Sequence, residues 1–307
     1  MDVATAQAQP GRKTVSRGDL TRLSKLQPSR WVRDLILDWA LIVGGIALYG
    51  AIDSLWALPF IALFVGSRQH ALALLGHDAT HRSALPSRRW NDFWGELLAA
   101  WPLFVIIDHG YRPWHFQHHR WLGTESDPEL GYRKLRPYTL PVTRRKIALW
   151  FGLDMIGLGI PDLIRFQHAV FPDRPWRHWG PVVWYAVFAS LTIWLDCFWV
   201  FGVWTWSLLT GFWAIFRFRT WYEHVGLEQA GEEGTHRFSA NPVVRFLFFP
   251  HNTHCHYEHH RWPSVPYYNL PALRELVEER PVLTTREVFV RFELCDGHIG
   301  QAQLRVG

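Results

Sequence analysis

Cysteine is scarce: the 307 residues contain three, Cys197, Cys255 and Cys295, odd in number and far apart. That excludes a disulfide framework and points to a reducing compartment for the water-exposed part. The chain also has no Gly-rich phosphate loop and no Gly-x-Ser-x-Gly elbow, which argues against nucleotide-phosphate and serine-hydrolase chemistry. The net charge of +5 comes with no nucleic-acid-binding motif, so a nucleic-acid partner is not expected. Residues 1–33 lack any apolar core and carry Arg12, Lys13, Arg17, Arg22, Lys25, Arg30 and Arg33. They read as a polar, basic cytoplasmic tail, neither a signal peptide nor a globular domain.

Aromatic side chains, by contrast, are abundant, with 19 Trp and 20 Phe, and Trp and Tyr favour membrane interfaces. Between Trp39 and Ser67 the only charge is Asp53, and residues 179–195 and 197–216 are split only by Asp196. A span needs about 20 apolar residues, a length each arm reaches once its flanks are included. We therefore expect two hairpins, 35–76 and 179–222, turning at Asp53 and Asp196. Arg30, Arg33 and Arg68 flank the first, and Arg174, Arg177, Arg217 and Arg219 the second, whereas neither turn carries Lys or Arg. By the positive-inside rule all four open ends face the cytoplasm. The fold expected is an all-α, multi-pass integral membrane protein with four transmembrane helices. Residues 97–107, an apolar run of eleven, read as a re-entrant or interfacial helix, and 147–160 as a second interfacial piece. Residues 120–146 and 226–240 read as polar loops, and 274–307 as a C-terminal cytoplasmic cap.

Three histidine clusters flank these spans: His77-Asp-Ala-Thr-His81, His115-Phe-Gln-His118-His119 and His256-Tyr-Glu-His259-His260. Imidazole binds transition metals as a neutral donor, and residues three or four apart share one helix face. Eight histidines exceed one tetrahedral zinc site and suit two metals of higher coordination. Asp78 and Glu258 are placed to orient imidazoles by accepting their other N–H. His251 and His254 share the third stretch and are weaker candidates. A metal-storage or transport protein would instead line its spans with histidine, and these spans hold almost none.

The three clusters, in this order and with this hydropathy, resemble the membrane fatty-acid desaturase and hydroxylase superfamily over about Trp39–Leu273, so 34–273 is read as one membrane domain. The resemblance implies a cytoplasmic di-iron centre, molecular oxygen as co-substrate and a separate electron donor of ferredoxin, rubredoxin or cytochrome type. It implies a ninth ligand just past the fourth span, where His224 lies in a string similar to one in alkane monooxygenases. It also places Asn252 close to the metals. The segment His118–Pro128 resembles bacterial carotenoid ketolases, and His259–Pro271 is similar to both ketolases and acyl-lipid desaturases. Desaturation of a lipid or lipid-like acyl chain is the leading expectation. The alternative is a hydroxylase or ketolase acting on a carotenoid or another hydrophobic substrate.

Overall fold

Helix α1 (Arg17–Leu23) begins where the Ser16 hydroxyl accepts from the Asp19 amide at 3.0 Å. It lies within the stretch read as a polar, basic tail. Helix α2 (Pro28–Ile52) starts on Pro28, at the first-turn position where a missing N–H breaks no helix bond. It ends where Asp53 takes a left-handed backbone with φ of 47°. A 3-10 turn at Leu55–Ala57 then leads into α3 (Leu58–Thr80). The computed structural model describes residues 15–170, 179–227, 234–277 and 282–288.

Helix α3 is the centre of the bundle. It packs on α2, on α10 (Trp199–Ser207) and on the π-helical turn Leu208–Phe212 that joins α10 to α11 (Trp213–Glu223). The closest approach needs glycine on both sides. A Cβ on Gly66 would strike the backbone of Gly211 and Phe212, and one on Gly211 would strike the Ala62 carbonyl. Close backbone approach through small residues is how helices associate in lipid, where burying apolar surface between them gains little.

Among the described residues, three helices are long and apolar enough to cross a membrane: Pro28–Ile52, Leu55–Thr80 and Trp199–Glu223. Helix α9 (Trp179–Trp194) is apolar but has 16 residues, roughly 24 Å at 1.5 Å per residue against a hydrocarbon core of about 30 Å. The residues just before it, 171–178, lie outside the described set. The count is therefore three, or up to four if the bent pair α7 (Arg144–Met155) and α8 (Ile160–Val170), turned by 87°, is one span. Asp196 repeats the geometry of Asp53, with φ of 55° between α9 and α10.

Residues 97–107, expected as a re-entrant or interfacial helix, are broken rather than one continuous helix. The chain runs through α4 (Arg88–Gly95), a π turn at Glu96–Ala100 and a 3-10 turn at Trp101–Leu103. It reverses at Phe104, where φ is 61°, then enters a π turn at Ile107–Tyr111. Pro102 has no N–H to continue a helix, and the Glu96 carboxylate accepts from the Ile107 and Asp108 amides, both at 2.9 Å. One side chain thus ties together the two ends of the break and leads the chain into α5 (Arg112–Trp121). The expected loop 120–146 contains α6 (Pro128–Arg133). Thr235, His236, Arg237 and Phe238 are buried rather than part of a polar loop. Phe238–Ser239 (β1) pairs in parallel with Leu283–Thr284 (β2). Beyond α12 (Pro242–Phe248) and α13 (His256–Arg261), α14 (Leu270–Leu276) buries Leu270 and Leu273, as expected for an amphipathic helix. Most of the expected cap at 274–307 lies outside the described residues, as do residues 1–14 of the tail.

Two apolar cores flank the histidine-bearing elements. Leu72, Leu75 and Ala79 of α3 belong to one, with Tyr257 and Leu273, and Trp114 of α5 to the other, with Tyr132, Phe166 and Trp221. The second core carries a buried ion triad. Arg217 holds Asp154 at 2.6 and 3.1 Å and Asp162 at 3.1 Å, joining α11 to α7 and α8. Removing one member of such a buried group costs about 3–5 kcal/mol, because the other charge is left unpaired.

Candidate metal centre

Each histidine cluster is placed by a short helical segment. His77 lies in the last turn of α3, and His81 caps that helix. His115, His118 and His119 ride on α5, and His256, His259 and His260 on α13. The chain enters α13 through two consecutive left-handed residues, His251 and Asn252, with φ of 50° and 59°. His224 caps the C-terminal end of α11.

Their Nε2 atoms converge. That of His115 lies 2.9 Å from His77, 3.0 Å from His81 and 3.0 Å from His119. His259 and His119 are 3.0 Å apart. These five donors form one group. His256 Nε2 lies 2.9 Å from His224 and 3.0 Å from His260; His118, His224 and His260 form a second group, and Glu223, His224 and His256 a third that shares His224 with it.

Hydrogen bonding does not account for this packing, since the single lone pair of a neutral Nε2 cannot accept from three neighbours. A metal does account for it. Bonds of about 2.1 Å at right angles put adjacent nitrogens about 3.0 Å apart. Burial also holds the donors in the neutral state that binds metal. It pushes His81 down to about 3 and His119 to about 2. His115, His224, His256, His259 and His260 are held well below the usual imidazole range for the same reason. The donor set therefore fits two metal ions, and a five-imidazole site exceeds the four ligands typical of structural zinc.

The groups that orient these imidazoles are not the ones expected. Asp78 accepts from the Tyr267 amide at 3.4 Å. Glu258 accepts from Arg237 at 2.6 Å and from Arg274 at 3.0 Å, so both carboxylates face the supporting shell and hold no imidazole. Instead His118 Nδ1 donates to Asp127 at 2.9 Å, and His224 Nδ1 to the Gly234 carbonyl at 2.9 Å. Asp127 also accepts from the Gly123 amide and from Arg133. The signal for it was the Asp-Pro-Glu string after the second cluster, where Asp is placed to cap a helix opening on Pro. His251 pairs with Asp38 at 2.6 Å, and His254 lies beside Cys255 Sγ at 3.8 Å. Neither is in a metal-ready group. The Asn252 amide donates to the Tyr267 carbonyl at 3.1 Å.

Two cavities meet here. One is lined by histidines of both groups with Tyr111, Arg219 and Tyr267. The other is apolar, walled by Ala73, Gly76, Ala99, Leu103, Phe212 and Phe216, and it shares Leu74, His77, Tyr111 and Arg219 with the first. Tyr111 stacks on His115 with centroids 5.1 Å apart, and Arg219 is held by Glu223 at 2.8 Å. An apolar cavity thus reaches His77 of the five-imidazole group.

Apolar helices of spanning length beside a buried cluster of histidines that could hold metal define a class of membrane protein with a histidine-built site. The family model described as fatty acid desaturase matches residues 54–289, and the chain belongs to that family. It is 29% identical to a beta-carotene ketolase of a Paracoccus species over 257 residues, 78% of this chain and 91% of the relative. It is 34% identical to the dihydrorhizobitoxine desaturase of Bradyrhizobium elkanii over 115 residues, 36% of this chain and 32% of that protein. The human sphingolipid delta(4)-desaturase/C4-monooxygenase DES2 is 26% identical over 73% of this chain and 67% of its own length. The chain is an oxidoreductase that uses oxygen.

Proposed function

We propose that this protein oxidises an unactivated C–H bond of a hydrophobic substrate at a di-iron centre, with desaturation of a lipid-like chain as the leading reaction. The observation that carries the proposal is the apolar cavity ending on His77, one wall of which belongs to the metal cluster. His77, His81, His115, His119 and His259 would hold one iron, and His118, His224, His256 and His260 the other. When bound, the pair supplies activation of molecular oxygen, with electrons from a separate donor. The protein's part is positioning and exclusion of water. Phe212 and Phe216 hold the substrate in apolar surroundings, Tyr111 fixes the His115 ring, and Glu223 keeps Arg219 at the junction of the two cavities.

A second reading, ketolation of a carotenoid-like ring, is favoured by the alignment with the Paracoccus ketolase, which spans 91% of that relative. Both readings begin with loss of one hydrogen. They part on whether a second hydrogen leaves or oxygen enters the product. Mass spectrometry of lipids and carotenoids from cells expressing the protein distinguishes them. A product lacking two hydrogens supports desaturation, and a gained carbonyl oxygen supports ketolation. No oxidised product in either class, from protein that is iron-loaded and supplied with electrons, contradicts both.

The metal cluster is read as cytoplasmic and the chain as two membrane hairpins. Lys and Arg at the open ends support this, as do Trp56 and Trp194, 89% and 79% exposed beside the Asp53 and Asp196 turns. Tryptophan belongs at the membrane–water boundary.

A further inference from the structure

Two carboxylates that lie against the cluster's imidazoles keep a buried oxygen without a hydrogen-bond partner, Glu223 Oε1 and Glu129 Oε2. Glu223 is already held through its other oxygen by Arg219 at 2.8 Å, which leaves Glu129 without a role. Glu129, on α6, is 7% exposed, and its Oε2 is buried without a hydrogen-bond partner. That oxygen lies 3.4 Å from His118 Nε2 and 3.7 Å from His224 Nε2, and the residue lines the metal cavity.

What these neighbours present to it follows from their other nitrogens. A neutral imidazole carries one N–H. His118 commits its own to Asp127, and His224 commits its own to the Gly234 carbonyl, each through Nδ1 at 2.9 Å. Both Nε2 atoms therefore turn a lone pair toward a carboxylate oxygen that also offers only lone pairs. Three acceptors facing one another in a buried site repel unless a cation lies between them. A proton does not serve, because 3.4 Å exceeds the 2.5–3.0 Å reach of an O–H hydrogen bond. Arg133 does not serve either. Its Nη2 is engaged by Asp127 at 2.6 Å, and its Nε stays 3.8 Å from Glu129. A metal does fit. Around an ion with bonds of about 2.1 Å, donors lie about 3.0 Å apart when adjacent and about 4.2 Å when opposite, and the two observed distances fall between.

We infer that Glu129 is a ligand of the metal held by His118, His224, His256 and His260. That site then has four imidazoles and one carboxylate, against five imidazoles in its neighbour. The placement is built into the local sequence. Asp127 caps α6 by accepting the Glu129 amide at 2.9 Å, while the same carboxylate fixes the tautomer of His118. One residue thus sets both a histidine ligand and the turn that aims Glu129. An anionic donor on one side alone makes the two metals inequivalent in charge, and the second becomes the more easily oxidised.

The test uses full-length protein in detergent, loaded with iron and challenged with graded ferrozine, metal per chain being counted by mass spectrometry. The variants are Glu129→Gln and, as a control in the turn just before α6, the exposed Glu125→Gln. Wild type and the control are expected to hold two irons. Glu129→Gln should release one of them at ferrozine concentrations about a hundredfold lower, the upper range for perturbing a metal's ligand environment, and keep the other. Retention of both as in wild type, or loss of both together from protein that still elutes monodisperse, overturns the assignment. If wild type itself does not take up two irons, the di-metal reading fails and this one with it. Should Glu129→Gln not fold, the wild-type protein labelled with carbon-13 glutamate answers. Metal loading should shift a glutamate carboxylate band in the infrared difference spectrum, and an unshifted band overturns the proposal.

Discussion

His224 and His256 bring their Nε2 atoms to 2.9 Å from each other across a sequence separation of 32 residues. The contact joins the end of a membrane-length helix to the third histidine cluster. It makes His224 a ligand of the second metal in the proposed scheme. His224→Ala should therefore lose one iron of two and its activity together, while the protein still inserts and elutes as wild type. Metal counting checks this, and a variant that keeps two irons and near-normal turnover refutes the assignment.

Asp127 orients His118 without belonging to either donor group. Removing such an orienting partner commonly costs 10–100-fold in metal affinity. Asp127→Asn keeps the shape but gives up the charge, and it should weaken retention of the second metal by about that factor while sparing the first. A chelator titration that finds both metals bound as in wild type contradicts this role.

Membrane hydropathy and the histidine clusters were legible in the sequence, because each depends on local spacing, whereas His224 was expected only from the family resemblance. Long charge-free runs have few alternatives, and imidazoles three or four apart share a helix face wherever that helix lies. The orienting carboxylates were not legible. Asp78 and Glu258 sit inside the clusters, yet in the fold they turn to the Tyr267 amide and to Arg237 and Arg274. Asp127 and Glu129 come from a segment that reads as loop, and their meeting with His118 and His224 is tertiary. The break within residues 97–107 was not legible either: their apolar content signals burial, but Pro102 and the Glu96 bonds to Ile107 and Asp108 interrupt the helix.

His254 gives a pH signature independent of the metal groups. Burial, with Arg274 and Arg245 nearby, pushes its imidazole down to about 3, whereas an unfolded histidine titrates near 6.5. Above about pH 6.5 neither state is protonated and the residue contributes nothing to pH dependence. Below that, the unfolded chain binds a proton that the native chain refuses. Stability should fall by about 1.4 kcal/mol per pH unit as the pH drops toward 3. His254→Gln should lose about 2 kcal/mol less than wild type between pH 6.5 and 5. Denaturant titrations at the two pH values compare them, and equal losses would rule this out.

The topology makes a separate prediction. Cysteines introduced at the exposed positions Glu125 and Arg136, in a background lacking Cys197 and Cys295, should react with an impermeant maleimide only after the cell membrane is opened. Labelling of intact cells at either position would turn the bundle over.

The central claim is that the histidine cluster is a di-iron site. Elemental analysis of protein purified after iron-replete expression measures it most directly. Two irons per chain are predicted, falling to one when either donor group loses a histidine. One zinc per chain with no iron would contradict the account.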